Sequence, residues 1–242
     1  MPLTITDLPT DIHDTIAFFL PDKDLIQFVC ASRHIVVSPY LLRQRQRAYW
    51  KECGVKHLAE TGDLAGLQYL HGLGSGLGSG SDSDDAMYNA AVEGHLAVVE
   101  FLYSIGATCA NRAMDWAAHN GHLAVVEFLH SIGATCTDDA MDWAASNGHL
   151  AVVEFLHSIG APYTAEAMDL AARSGHLAVV EFLHSIGAPC TDDAMDGAAE
   201  HGNLAMVKFL HGIGAPCTAN AMKLAAWYGH LAVVKFLQSI KN

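Results

Sequence analysis

Residues 140–166 read AMDWAASNGHLAVVEFLHSIGAPYTAE, and the pattern of this stretch recurs along most of the chain. Its Ala-Met pair begins at Ala86, Ala113, Ala140, Ala167, Ala194 and Ala221, so the copies follow one another every 27 residues. An earlier, degenerate copy occupies residues 53–73, and a glycine-rich tract separates it from the first regular copy. Self-similarity at a fixed period of this length is typical of solenoid proteins. The sequence therefore predicts a stack of seven units.

Each unit is predicted to contain two short helices. Thr137, Asp138 and Asp139 precede the first helix, AMDWAASN, and are suited to cap it. The second helix, HLAVVEFLHSI, has an apolar stripe and a solvent face. The predicted stripe comprises Leu150, Val153, Phe155, Leu156 and Ile159, and the solvent face comprises Ala151, Glu154 and Ser158. No stretch has the pattern of a strand, so we expect an all-α chain in which neighbouring units bury each other's apolar surfaces.

Composition and charge exclude several classes of function. The chain carries 26 acidic and 13 basic residues, and residues 58–242 hold twenty of the acidic and six of the basic ones. Such an acidic surface repels phosphate backbones, so we expect no nucleic-acid partner. The N-terminus lacks the pattern of a signal peptide, and the apolar runs are too short to span a membrane. Cysteines at equivalent repeat positions are expected about 10 Å apart, too far for disulfides. We therefore expect a monomeric, intracellular protein of the cytoplasm with reduced thiols. A host cell's cytoplasm or nucleus is the alternative location.

The histidines do not form the pattern of a metal or catalytic site. Ten of the fifteen recur at two positions of the repeat. A ladder of this kind spreads its side chains along the stack, whereas zinc needs four converging ligands. The sequence also lacks a phosphate-binding loop, a nucleophile elbow and an HExxH motif. We expect no catalytic residue, no metal and no cofactor, and hence a protein that is not an enzyme.

The recurring run A-A-x-x-G-H-L-x-V-V-x-F-L-x-x-x-G-A resembles the second half of the ankyrin repeat. The resemblance covers residues 53–242, but the usual Thr-Pro-Leu-His opening is replaced by Asp-Ala-Met-Asp or a similar run. The unit is also shorter than the usual length of about 33 residues. The missing part lies where ankyrin repeats project a β-hairpin finger. The resemblance thus implies an ankyrin-like α-solenoid of helical pairs without that finger.

The N-terminal residues show no repeat and have a different pattern. It comprises Leu8-Pro9, Asp11-Ile12, Ile16, Phe19-Leu20, Asp24-Leu25, Phe28 and Ser32-Arg33. This pattern resembles the F-box, a three-helix segment that docks onto the Skp adaptor of cullin ubiquitin ligases. By this resemblance, the residues that contact the adaptor are Leu8, Pro9, Ile12 and Leu20. The open alternative is that the Leu-Pro-x-Asp-Ile run only begins an ordinary amphipathic helix.

These two resemblances imply a domain organisation and a function. Residues 1–52 form the F-box-like domain and residues 53–242 the repeat array, with a degenerate first unit at 53–73, a flexible loop at 72–85 and six units at 86–242, the last truncated. The implied function is that of a substrate-recognition subunit of a Skp-cullin-F-box ubiquitin ligase, with an unidentified target protein as the second partner. A plain binding scaffold or decoy is the alternative. The combination is abundant in large DNA viruses of amoebae, which implies a viral origin by resemblance.

Target recognition is predicted on one face of the first helices. Comparison of the copies shows that the second helix is nearly invariant, whereas three positions of the first helix vary. These positions are spaced i, i+3 and i+4, so they share a face, which we call the first-helix face. The residues predicted to bind the target there are Trp116, His119, Trp143, Arg173, Glu200, His201, Trp227 and Tyr228. The alternative for the whole face is drift at solvent positions that tolerate any residue, and for Trp116 and Trp143 packing between repeats is a further alternative.

Overall fold

The structure, a computed structural model, describes residues 39–74, 81–108 and 112–240. Every regular element in these ranges is an α-helix, as the sequence predicts. The helices are α1 (Pro39–Glu60), α2 (Leu64–Gly72), α3 (Ser81–Val92), α4 (Leu96–Ser104), α5 (Arg112–His119), α6 (Leu123–Ser131), α7 (Asp138–Ser146), α8 (Leu150–Ser158), α9 (Glu166–Ser174), α10 (Leu177–Ser185), α11 (Asp192–Glu200), α12 (Leu204–Gly212), α13 (Ala219–Trp227) and α14 (Leu231–Ser239). In the described part of the chain, none of these helices is both long and apolar enough to cross a membrane.

The helices form pairs that stack into a solenoid. The first helices of successive pairs, α5, α7, α9, α11 and α13, pack side by side in one layer, and the second helices form the other layer. Neighbouring helices approach each other more closely in the first layer than in the second. The reason is that the first helix of each inner unit carries two fully buried alanines, such as Ala144 and Ala145. Short loops without strands connect successive helix pairs. One of them lies at 132–137, and the others in the described part of the chain lie at the equivalent positions of their units. The predicted α-solenoid without hairpin fingers is therefore confirmed for these residues.

The core is one continuous cluster that repeats from unit to unit. In the unit beginning at Ala140, the most buried side chains include Met141, Val152, Val153 and Leu156. Burial of a large aliphatic side chain stabilises a fold by about 1.5–3 kcal/mol, and every inner unit buries a similar set. The predicted apolar stripe was wrong in one respect, because Val152 is buried although the stripe left it out. The units pack on both sides of the second helix, so its buried face is wider than a single stripe.

Helix α1 joins the N-terminal region to the repeats. It begins at Pro39, and Gly54 interrupts its helical geometry with φ 73°. The segment after Gly54 carries the fully buried Leu58 and Ala59, which belong to the core of the array. The residues predicted to contact the adaptor, Leu8, Pro9, Ile12 and Leu20, lie outside the described residues.

The predicted loop at 72–85 requires a correction. Helix α3 begins at Ser81, so residues 81–85 are helical, and Gly72 still belongs to α2. Asp82 and Asp84 lie in the first turn of α3, where the positive end of the helix dipole stabilises carboxylates. Ser83 is buried as well, so this first turn is part of the packed structure.

Close contact between a glycine and a histidine repeats between the helix pairs. Gly121 has φ +80°, and a Cβ atom built there would lie 2.5 Å from Nδ1 of His149 in the next unit. The equivalent glycines at 94, 148 and 202 approach His122, His176 and His230 in the same way. The His95 ring bonds to the Glu60 carbonyl at 3.0 Å, and the His230 ring to the Glu200 carbonyl at 2.8 Å. These histidines therefore bridge neighbouring units.

Candidate functional site

A buried carboxylate connects each inner unit to the loop that begins the next. Asp142 is only 4% exposed, and it accepts hydrogen bonds from the backbone N–H and the hydroxyl of Thr164, at 3.0 and 2.5 Å. Asp115 and Asp169 make the same pair of bonds to Thr137 and Thr191. These Asp–Thr pairs hold the start of each first helix against the preceding unit.

The threonines of these pairs only partly fulfil the predicted capping role. Thr191 and Thr218 accept a bond from the backbone N–H two residues later, at 3.1 Å in both cases, while bonding to the preceding aspartate. Thr137 precedes α7, but its side chain makes no capping bond. Its hydroxyl instead donates to Asp115. Each of these threonines thus joins two units, and Thr164, like Thr191 and Thr218, also accepts a bond from the backbone N–H two residues later.

Burial changes the acidity of several groups in the array. It raises the pKa of the Asp115, Asp142 and Asp196 carboxyls, and the hydrogen bonds from threonine oppose this shift. Burial also lowers the pKa of His149. The pKa values of the Cys136 and Cys190 thiols are raised by burial, which makes both thiols less nucleophilic.

Three of the predicted target-binding residues form one aromatic cluster. The ring centroids of Trp116 and Trp143 lie 5.3 Å apart, and the His119 ring meets both edge-on, at 5.1 and 5.7 Å. Asn147, which lies in the same unit as Trp143, bonds to the His119 ring at 3.0 Å. All three rings are half-buried. Trp116 and Trp143 therefore pack between repeats, which is the alternative that the sequence left open, and only part of each ring faces solvent.

The next predicted residues lie further along the same face. Arg173 forms an ion pair with Glu200 of the following unit, with 3.2 Å between Nη2 and Oε2. The Arg173 side chain remains 54% exposed, so the pair lies at the surface. The His201 ring bonds to the Gly197 carbonyl at 3.0 Å, and this histidine is also exposed. The structure thus brings these polar groups together between α9 and α11.

The last two predicted residues are the most accessible aromatic side chains of the face. Trp227 is 83% exposed and Tyr228 is 55% exposed. The Tyr228 ring stacks on His230, with 6.4 Å between their centroids. Leu231, at the start of α14, is 68% exposed close by. This end of the first-helix face thus presents apolar surface to solvent.

The second ladder of histidines lies in the second-helix layer and has a packing role. His130, His157, His184 and His211 each meet a phenylalanine of the next unit edge-on, with centroids 5.7–6.1 Å apart. Aromatic pairs in this geometry attract each other. Across the described residues, His, Cys, Asp and Glu side chains do not gather in groups of three or more that could hold a metal ion.

Sequence reasoning missed the Asp–Thr pairs, although the pattern contains a signal for them. Four aspartates recur with the repeat, and each precedes its threonine by 22 residues. A polar residue that repeats within an otherwise apolar helix indicates a buried hydrogen bond. In the last unit Lys223 takes the place of the aspartate, and the first regular unit uses Asp84, which bonds to Thr108, instead.

Comparisons with known proteins agree with this architecture. Residues 115–194 match the family model "Ankyrin repeats (3 copies)". Among solved structures, the chain is similar to the human ASB11 ankyrin repeat domain, with a TM-score of 0.61 and 20% sequence identity. The similarity covers 74% of this chain and 96% of that domain. No curated protein sequence matches the chain. The described array therefore has the fold of an ankyrin-repeat domain.

Proposed function

We propose that the chain is the substrate-recognition subunit of a Skp-cullin-F-box ubiquitin ligase. In this proposal the repeat array binds a target protein on its first-helix face, and residues 1–52 recruit the Skp adaptor. The two parts of the proposal rest on different observations and can be tested separately.

The contrast between buried and exposed positions carries the target-binding part. Positions that pack, such as the pair Ala144-Ala145 and the valines of the second helix, are the same in nearly every unit. Positions that are exposed on the first-helix face differ from unit to unit and include Arg173 and Trp227. Arg and Trp are among the residues that contribute most to protein interfaces. Variation at exposed positions is also expected from drift, and it is the presence of Arg and Trp among them that supports specific recognition.

The adaptor-binding part rests on the F-box-like pattern of the N-terminal sequence. Leu8 and Pro9 begin that pattern, and Ile12 and Leu20 lie on the same predicted helical face. The position of the pattern ahead of a recognition array supports the interpretation, because a substrate receptor has to hold its target and its adaptor in one molecule.

Changing Leu8 and Pro9 to alanine in the full chain tests the adaptor-binding part. We expect the double variant to lose co-precipitation of a purified Skp adaptor, because the contacting side chains are removed. The far-ultraviolet circular dichroism of the array should remain that of the wild type. Trp227→Ala is the matched control, since it alters the first-helix face and should leave adaptor binding intact. Undiminished recovery of the adaptor by the double variant would contradict the ligase role and favour a plain protein-binding scaffold.

A further inference from the structure

A groove opens on the first-helix face between α9, α11 and α13. Its volume is about 420 Å³, and two half-buried leucines, Leu170 and Leu224, form its apolar part. A groove of this size accommodates one or two amino-acid side chains.

The groove exists because one unit lacks a side chain that its neighbours have. Gly197 occupies the repeat position that holds tryptophan or leucine in the four surrounding units, at Trp116, Trp143, Leu170 and Leu224. At Trp116 and Trp143 the two rings contact each other and close the surface. At Gly197 the row is interrupted, and the backbone of α11 forms the floor between the two leucines. Gly197 also lets α11 approach α9, since a Cβ atom there would lie 2.8 Å from Cβ of Arg173.

The walls of the groove are strongly acidic. Five of its ten lining residues carry carboxylates, namely Glu166, Asp169, Asp193, Asp196 and Glu200. Arg173 is the one basic lining residue, and its guanidinium is paired with Glu200. Asp169 and Asp196 accept bonds from threonines of the next unit. Glu166 and Asp193 are exposed, and they lie at equivalent positions in the first turns of α9 and α11. Their charges are therefore available to a ligand.

We propose that this groove binds a lysine or arginine side chain of the target, presented by a peptide segment. The aliphatic stem of the basic residue would lie on Leu170 and Leu224, and its cationic group would face Glu166 and Asp193. Charge complementarity of this kind determines which partner a surface accepts. The inference rests on the target-binding part of the proposed function and does not depend on adaptor recruitment.

Selection of a random peptide library on the full chain tests this inference. We expect the enriched peptides to contain Lys or Arg. The best peptide, synthesised with a fluorescent label, should bind the Glu166→Gln, Asp193→Asn variant at least about tenfold more weakly than the wild type. A copy of the peptide with norleucine in place of the basic residue should bind the wild type with a similar loss.

The matched control removes two equivalent charges from the opposite layer. Glu154→Gln with Glu181→Gln neutralises two exposed carboxylates of α8 and α10, and this variant should bind the peptide like the wild type. Circular dichroism should be unchanged in both variants, because all four side chains are exposed. The inference would be overturned if no peptide were enriched, if enriched peptides lacked basic residues, or if the groove variant bound as tightly as the wild type. Undiminished adaptor binding by the Leu8, Pro9 variant would contradict the adaptor-binding part of the proposed function and would alter none of these results, so the two failures are distinguishable.

Discussion

The carboxylate of Asp142 and the hydroxyl of Thr164 lie 2.5 Å apart across the boundary between two repeat units. The backbone N–H of Thr164 donates to the same carboxylate at 3.0 Å. The same Asp–Thr pair occurs at each of the four unit boundaries from Asp115 to Thr218. Hydrogen bonds to buried carboxylates therefore hold the stack together, in addition to apolar packing. The stability of a solenoid is approximately the sum of the stabilities of its units and of the interfaces between neighbouring units. Loss of one Asp–Thr pair therefore weakens its own boundary most.

Replacement of Asp142 by alanine should weaken the boundary between α7 and α9. The change leaves the partly buried N–H and hydroxyl of Thr164 without their acceptor, and loss of hydrogen bonds to a charged group costs about 1–3 kcal/mol. We expect the free energy of unfolding, measured by urea denaturation, to fall by an amount in that range. Glu154→Ala, an exposed change on α8 of the same unit, should stay within about 0.5 kcal/mol of the wild type. Equal losses in the two variants would show that the Asp–Thr pair contributes nothing specific.

The repeat pattern predicted the solenoid, because its packing residues recur with it. The buried Met141, Ala144 and Leu156 have counterparts in almost every unit, and periodicity detects such positions. The burial of Val152 was not predicted, because an apolar stripe on a helix allows for packing against one partner. In a stack, each helix packs against neighbours on two sides. At the variable positions, the sequence left packing of Trp116 on Trp143 open as an alternative. It did not indicate the gap at Gly197, because that gap depends on a residue that occurs at this repeat position only once.

The stability of the array should depend on pH through Asp142. Burial raises the pKa of this carboxyl in the folded state above its ordinary value of 3.8. A raised pKa in the folded state means that the contribution of the group to stability is complete below about pH 3.8 and declines as the pH rises through the folded-state pKa. The Asp142→Asn variant lacks this titration. We therefore expect the wild type to lose stability relative to Asp142→Asn between pH 4 and pH 7 in urea denaturation. A difference that is constant over this range, or that changes in the opposite direction, would contradict the assignment.

Gly121 should tolerate alanine less well than Gly160 does. Both glycines have positive φ, +80° and +72°, so alanine at either position carries a backbone cost of about 1–2 kcal/mol. At Gly160 no atom lies within 4 Å of the added Cβ, whereas at Gly121 the His149 ring lies 2.5 Å away. Gly121→Ala should therefore lower the midpoint of thermal unfolding further than Gly160→Ala does.

The His149→Asn change provides the matched control for this comparison. The chain itself has Asn203 at the equivalent position, where it caps α12 by accepting a bond from the backbone N–H of Met206. Combined with Gly121→Ala, His149→Asn should recover part of the lost stability, because the amide is smaller than the ring. Failure to recover any stability would mean that the contact with the ring is not the cause of the loss.

The central claim is that the array binds its target through the first-helix face. The test compares the full-length wild type, the Arg173→Ala, Trp227→Ala variant and a control with Glu154→Ala and Glu181→Ala on the opposite layer. Arg173 makes a surface ion pair and Trp227 is largely exposed, so the thermal unfolding of all three proteins should be similar. Truncated Arg and Trp anchors commonly cost about 2 kcal/mol or more of binding free energy.

Quantitative mass spectrometry of proteins captured from one cell extract by the three chains is the measurement that tests this claim most directly. The account predicts that the wild type and the control capture the same protein, and that the Arg173→Ala, Trp227→Ala variant loses it while keeping its thermal stability. Equal capture by all three chains would contradict the account and place recognition elsewhere on the array.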